Sequence, residues 1–300
     1  MRILLTGTSG QVGGALLPLL SISHTVLAPQ RAEFDLSRPE TVAEALDGLA
    51  PDLIVNPAAY TAVDKAEDES ELALRVNAAS PAAMAAWAAN RGVPLIHFST
   101  DYVFDGSGEK PWREEDKCAP LSSYGRSKWE GEQSVQASGA PHLIVRTSWV
   151  YAAQGTNFLR TMVRLARERD ELRVVADQFG APTAAASIAE ATAGIIDRRR
   201  STVDLARDFE GAKGLVHLAN AGMTSWHGFA TSIVEGLKAR DQAVKARSVH
   251  AIATSDFPTR AVRPANSRLD TSRLLQVFGV SMPDWGEALE GELDRLVAIG

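Results

Sequence analysis

The chain has 300 residues, 45% of them hydrophobic, enough to bury a sizeable core as one large domain or two fused lobes. A net charge of -6 and a pI near 5.6, with no Lys/Arg-rich stripe interleaved with aromatics, exclude a general nucleic-acid binder. The single cysteine, Cys118, excludes an intrachain disulfide framework or a multi-cysteine metal site and fits a reducing cytoplasm. The first strand is expected over 3–6 and meets Gly7 too soon to leave room for the apolar region of a signal peptide. No apolar run approaches the ~18 residues of a membrane span, so neither export nor a membrane partner is expected.

Directly after that strand stands Gly7-Thr-Ser-Gly10-Gln-Val-Gly13, followed by a helical stretch over 12–20. Glycines at a strand-to-helix turn let backbone approach a pyrophosphate, and the helix N-terminus offers free N–H groups and the positive end of its dipole. Further buried strands are expected over 25–28, 53–56, 95–99 and 142–146, alternating with helices over 39–49, 64–79 and 81–90. That alternation predicts an α/β fold, a doubly wound parallel sheet of Rossmann type over residues 1–150. The second strand ends at Ala28-Pro-Gln30-Arg31 with no carboxylate for a ribose 2′-hydroxyl, and Arg31 could meet a 2′-phosphate. NADPH is therefore the expected cofactor, with NADH accepted as well.

Thr100 follows the strand over 95–99, at the edge where doubly wound sheets gather ligands. Tyr124-Gly-Arg-Ser-Lys128 puts a phenol and an ammonium at i and i+4 on one helix face, an arrangement in which a nearby cation favours the phenolate and makes the hydroxyl a useful acid. Beyond residue 150 the alternation loosens. A helix over 157–169, strands over 172–176 and 215–218, and helices beginning at Trp226 and Asp284 suggest a smaller lobe, 151–300, that mainly binds substrate while returning some elements to the sheet. Arg198-Arg199-Arg200 reads as a solvated helix end, without a function. Arg260, Arg263, Arg268 and Arg273 crowd one stretch of this lobe, and one or two of them, Arg263 first, could neutralise a diphosphate.

The G-x-x-G-x-x-G spacing resembles that of the extended short-chain dehydrogenases/reductases. In that family Thr100, Tyr124 and Lys128 would form one site: Thr100 holding the substrate oxygen, Tyr124 protonating it, Lys128 binding the nicotinamide ribose and lowering the tyrosine pKa. Five segments in order narrow the resemblance: Thr61-Ala-Val-Asp-Lys-Ala-Glu67, Ser99-Thr-Asp-Tyr-Val-Phe-Asp-Gly106, Arg146-Thr-Ser-Trp-Val-Tyr151, Asp177-Gln-Phe-Gly-Ala-Pro-Thr183 and Arg263-Pro-Ala-Asn-Ser-Arg-Leu-Asp270. Together they look like the dTDP-4-dehydrorhamnose reductases, which reduce a 4-keto dTDP-sugar to dTDP-L-rhamnose. The resemblance implies that Gly7, Gly10, Gln11, Val12, Gly13, Asp35, Leu36, Ala59, Tyr60 and Thr61 border the cofactor. It also implies that Val63, Thr100, Asp101, Tyr102 and Trp149 line the sugar. Some members bridge subunits with magnesium through acidic residues. The matching places here read Gly14-Ala15 and Ala184-Ala185-Ala186, which lack hard oxygen ligands, so no metal is expected and the chain should be a monomer or weak homodimer. Two rivals stay open: an extended reductase or epimerase for another nucleotide sugar, and a non-catalytic subunit of methionine adenosyltransferase.

Overall fold

The computed structural model describes residues 1–199 and 201–299. Strands β1 (Arg2–Leu5), β2 (Thr25–Leu27), β3 (Leu53–Asn56), β4 (Leu95–Thr100) and β5 (His142–Thr147), with the strand Leu215–His217, form one parallel sheet. Its order from one edge is Leu215–His217, β5, β4, β3, β1, β2. The chain steps outward from β1 to β2, then crosses back to β3 on the other side of β1. The carboxyl ends of β1 and β3 therefore diverge to either side of a crevice, the switch point at which such sheets bind ligands.

Pleating divides each strand between two cores. Ile3, Leu5, Val55, Ile96 and Val145 face one side, against the helix α1 (Gln11–Leu20) and the later helix Ala185–Asp197. Leu4, Ile54, Leu95 and Ile144 face the other, where Met84 and Trp87 of the helix Ser80–Arg91 cover them. A third core, built on Tyr151, Leu159, Phe229 and Leu293, lies beyond β5 and packs around the parallel strands Glu171–Val175 and Ser248–Ile252. No helix among the described residues is long and apolar enough to cross a membrane.

Several elements differ from the sequence reading. The helices expected over 64–79 and 81–90 are one run: a 3-10 turn Lys65–Glu67, then Ser70–Leu74, a π-turn Arg75–Ala79 and Ser80–Arg91. Pro81 does not end the run, because it sits in the first turn after the π segment, where a missing N–H costs nothing. The helices Thr202–Gly211 and Ser272–Phe278 were not foreseen. Arg198 and Arg199 are more engaged than a solvated end: Arg198 donates to the Phe278 carbonyl at 3.1 Å and Arg199 pairs with Asp208. Arg200 lies outside the described residues.

Candidate active site

The glycine turn starts the site. Gly7 takes a left-handed φ of 64°, and a Cβ on Gly13 would stand 2.2 Å from the Gly7 carbonyl oxygen, so the turn closes only without side chains there. Gly10 caps α1 without a side-chain bond, and no acidic residue occupies the first turn. An undisturbed helix N-terminus thus faces the crevice, a donor set suited to a pyrophosphate.

From this turn a single cavity of about 1480 Å³ runs past the ends of β3 and β4 to the third core. Every residue assigned above to cofactor, sugar or chemistry lines it. Their engagements differ. Arg31 is 82% exposed and 3.9 Å from Asp35, free to reach an anion. The Asp35 carboxylate is taken by the Ser37 N–H and hydroxyl, at 2.9 and 2.8 Å, which hold its pKa below the ordinary value. Leu36 sends its side chain into the core. Tyr60 gives its hydroxyl to Glu69 at 2.5 Å, leaving its ring face for a ligand. Of the four C-terminal arginines only Arg263 lines the cavity. It donates to Asp64 at 2.6 Å and to the Tyr102 hydroxyl at 3.2 Å. Arg260 is paired with Asp68, Arg268 donates to Asn266 Oδ1 at 2.8 Å, and Arg273 pairs with Glu114 and Glu115.

The chemical centre sits where β4 meets the helix Ser123–Ala137. Glu67 accepts from the Ser123 N–H at 2.8 Å and from its hydroxyl at 2.9 Å, capping that helix with a carboxylate. Asn77, buried in the π-turn, bonds both the N–H and the carbonyl of Tyr60 and donates to the Ser127 hydroxyl at 3.0 Å. It joins the crevice wall to the residue before Lys128. Tyr124 is buried, with the edge of one ring against the face of the other in its contact with Tyr102, at 5.5 Å between centroids. Thr100 Oγ1 accepts from the Tyr102 N–H and donates to Asp101, each at 3.2 Å.

The electrostatics correct one expectation. Burial pushes the Tyr124 hydroxyl well above its usual value, with the Asp101 carboxylate adding to the rise and Thr100 opposing it. Lys128 does not counter this, because its Nζ is turned onto the Phe98 carbonyl at 2.6 Å. Burial lowers Lys128 itself to about 8, against an opposing contribution from Glu132, and raises Asp101 to about 7 despite hydrogen bonds from Ser267 and Thr100. Asp101 Oδ2 is buried without a partner.

Trp149 follows β5 in a left-handed conformation, φ 49°, and stacks on Trp226 at 3.6 Å between centroids. Its other neighbour is Gly180, where an added Cβ would meet the indole at 2.7 Å. Sequence reasoning missed Trp226, Glu67, Asn77 and His97. An aromatic directly after the Thr-Ser start of a helix marked Trp226, but the others show only through long-range contacts.

A glycine turn at the switch point, followed by Thr100 and by Tyr124 and Lys128 one helical turn apart, defines the extended short-chain dehydrogenase/reductase class. Residues 1–298 match the family described as RmlD substrate binding domain. The chain is 44% identical over 300 residues to the dTDP-4-dehydrorhamnose reductase of Escherichia coli strain K12, covering 99% of this chain and 98% of that one. To the enzyme of the same name from Burkholderia thailandensis it is 45% identical, covering 96% and 97%. A solved dTDP-4-dehydrorhamnose reductase from Clostridium acetobutylicum superposes with a TM-score of 0.89 at 34% identity, covering 99% of this chain and all of that one. One from Bacillus anthracis, in complex with NADP, does so at 0.86 and 33%, covering 98% and 99%. The chain belongs to the dTDP-4-dehydrorhamnose reductase family.

Proposed function

We propose that this chain reduces the 4-keto group of dTDP-4-dehydro-6-deoxy-L-mannose to give dTDP-L-rhamnose, with NADPH as the cofactor and NADH accepted as well. One observation carries the reading: a single cavity joins the glycine turn, the Thr100, Tyr124 and Lys128 trio and the Trp149 wall. The residues fit a dinucleotide, since Gly7, Gly10 and Gly13 leave the α1 N-terminus clear and Arg31 stands free where a 2′-phosphate would need a cation.

NADPH, when bound, supplies the hydride to the carbonyl carbon. Gln11, Val12, Ala59, Tyr60 and Thr61 border it, and Lys128 holds the nicotinamide ribose. With substrate in place the Thr100 hydroxyl turns from Asp101 to donate to the substrate's 4-oxygen and orients it. Tyr124 delivers the proton to that oxygen, so hydride and proton together convert C=O to CH–OH. The raised pKa of Tyr124 keeps the hydroxyl protonated until the oxygen becomes a strong base. Val63, Asp101, Tyr102 and Trp149 enclose the sugar, and Arg263 balances the diphosphate. On this reading residues 1–150 bind the dinucleotide and 151–300 mainly the sugar nucleotide. The enzyme works in the cytoplasm as a monomer or weak homodimer without a bridging metal.

The test is NADPH oxidation with the authentic keto sugar beside a GDP-linked 4-keto sugar. Tyr124→Phe should lower kcat by ~10²-fold or more while NADPH affinity, read by fluorescence titration, stays within a factor of about two. Near-wild-type turnover by that variant would exclude Tyr124 as the proton donor.

A further inference from the structure

From the Trp149 wall the chain reaches the helix Phe158–Glu168 through a short loop, residues 152–157, every one of which lines the cavity. Glu292 of the last helix, Trp285–Ile299, accepts the Ala153 N–H at 2.6 Å and fixes the start of this loop. At its end stands Asn157, which has no part in the chemistry described above. Both ends of its carboxamide are engaged. Oδ1 accepts the Arg160 N–H at 3.0 Å and caps the helix. Nδ2 donates to the carbonyls of Ala152 at 2.8 Å and Gln154 at 2.9 Å, and to Gln11 Oε1 at 3.0 Å. Gln11 opens α1, inside the glycine turn. The loop also lies against its stem: Gly155 takes a left-handed φ of 74°, and a Cβ there would stand 3.9 Å from Gln11 Cγ.

These bonds settle which way the Gln11 amide faces. A carbonyl can only accept and a backbone N–H can only donate, so Asn157 must turn Nδ2 to the loop and Oδ1 to Arg160. Gln11 then meets an N–H donor and gives it Oε1. Its Nε2, with two hydrogens, is left for the cavity that Gln11 lines, beside the N–H groups at the start of α1. The reverse orientation would set an amide oxygen against a phosphate. Glu292 brings no unpaired charge to this end of the cavity, because Arg295 pairs with it at 2.5 Å.

We propose that Asn157 is a positioning residue for the dinucleotide: it locks the Gln11 carboxamide with Nε2 toward the pyrophosphate, adding a side-chain donor to the backbone donors of the glycine turn. This rests on the dinucleotide reading of the cavity and deepens it.

Asn157→Asp separates the two jobs of the side chain. Its carboxylate still caps the helix but only accepts, so Gln11 turns Nε2 toward it and Oε1 toward the phosphates. Fluorescence titration of the full chain should find the Kd for NADPH and the Kd for NADH raised alike, by ~10-fold, while thermal melting finds Tm within about two degrees of the wild type. In steady-state kinetics the loss should fall on KM for the cofactor, with kcat within a factor of about two. In a Gln11→Ala background the same substitution should change either Kd by no more than about twofold, since no amide is left to turn. An unchanged Kd in folded Asn157→Asp overturns the proposal. So does an equal rise in the Gln11→Ala background, which would mark plain charge repulsion. If Asn157→Asp does not fold, Asn157→Ser, a shorter cap that gives up the bond to Gln11, takes its place; a ~3-fold rise in both Kd values is then expected, and no rise overturns the proposal. A wild type that binds neither cofactor would overturn the dinucleotide reading, and this proposal with it.

Discussion

Asp101→Asn offers a test in which stability and pH are tied through one buried atom. The carboxyl is 2% exposed, accepts from Thr100 at Oδ1 and is unpartnered at Oδ2, and burial raises its pKa from 3.8 to about 7. Below 3.8 both folded and unfolded chains hold the proton and the group contributes nothing. Between 3.8 and about 7 the unfolded chain gives the proton up first, so stability falls as pH rises, and above about 7 the loss is complete. That interval corresponds to roughly 4 kcal/mol at most. Asn keeps the shape and cannot ionise. Urea unfolding should find Asp101→Asn close to the wild type near pH 4 and more stable by a few kcal/mol at pH 8, the gap opening between. An offset constant across pH, or a wild type that is the more stable at pH 8, would refute this account of the site.

Other perturbations probe separate walls of the cavity. Gly13→Ala would drive a Cβ to 2.2 Å from the Gly7 carbonyl, so NADPH affinity should fall by ~10²-fold or more with a lowered Tm, read by fluorescence titration and thermal melting. Trp226→Ala removes the plane on which Trp149 stacks and should raise KM for the keto sugar by ~10-fold, leaving the Kd for NADPH unchanged. Arg31→Ala should lower kcat/KM with NADPH by ~10-fold and leave that with NADH alone, a split that steady-state kinetics reads directly.

The doubly wound sheet was legible because buried parallel strands are short apolar runs, and Leu53–Asn56 and Leu95–Thr100 announce themselves that way. The glycine turn was legible because glycine has few other reasons to recur at that spacing after a first strand. The supports of the site were not. Glu67 lies 56 residues from the Ser123 it caps, and Asn77 reaches Ser127 across 50, distances over which no local pattern carries information. The orientation of the Lys128 amine was out of reach of the sequence for a related reason. Helical spacing places it beside Tyr124, but the Phe98 carbonyl and His97, both on β4, decide where its amine points.

The π-turn Arg75–Ala79 gives the chain an asymmetry in the changes it can absorb. A wide turn holds one residue more than an α-turn would, and everything after it is rotated about the helix axis to match. Many substitutions on the exposed side of this helix will pass unnoticed. Loss of any single residue there would restore ordinary geometry and at the same time swing Asn77 off Tyr60 and Ser127, parting the nucleotide wall from the helix that carries the acid. Length, as much as the identity of Asn77, is what this stretch has to keep.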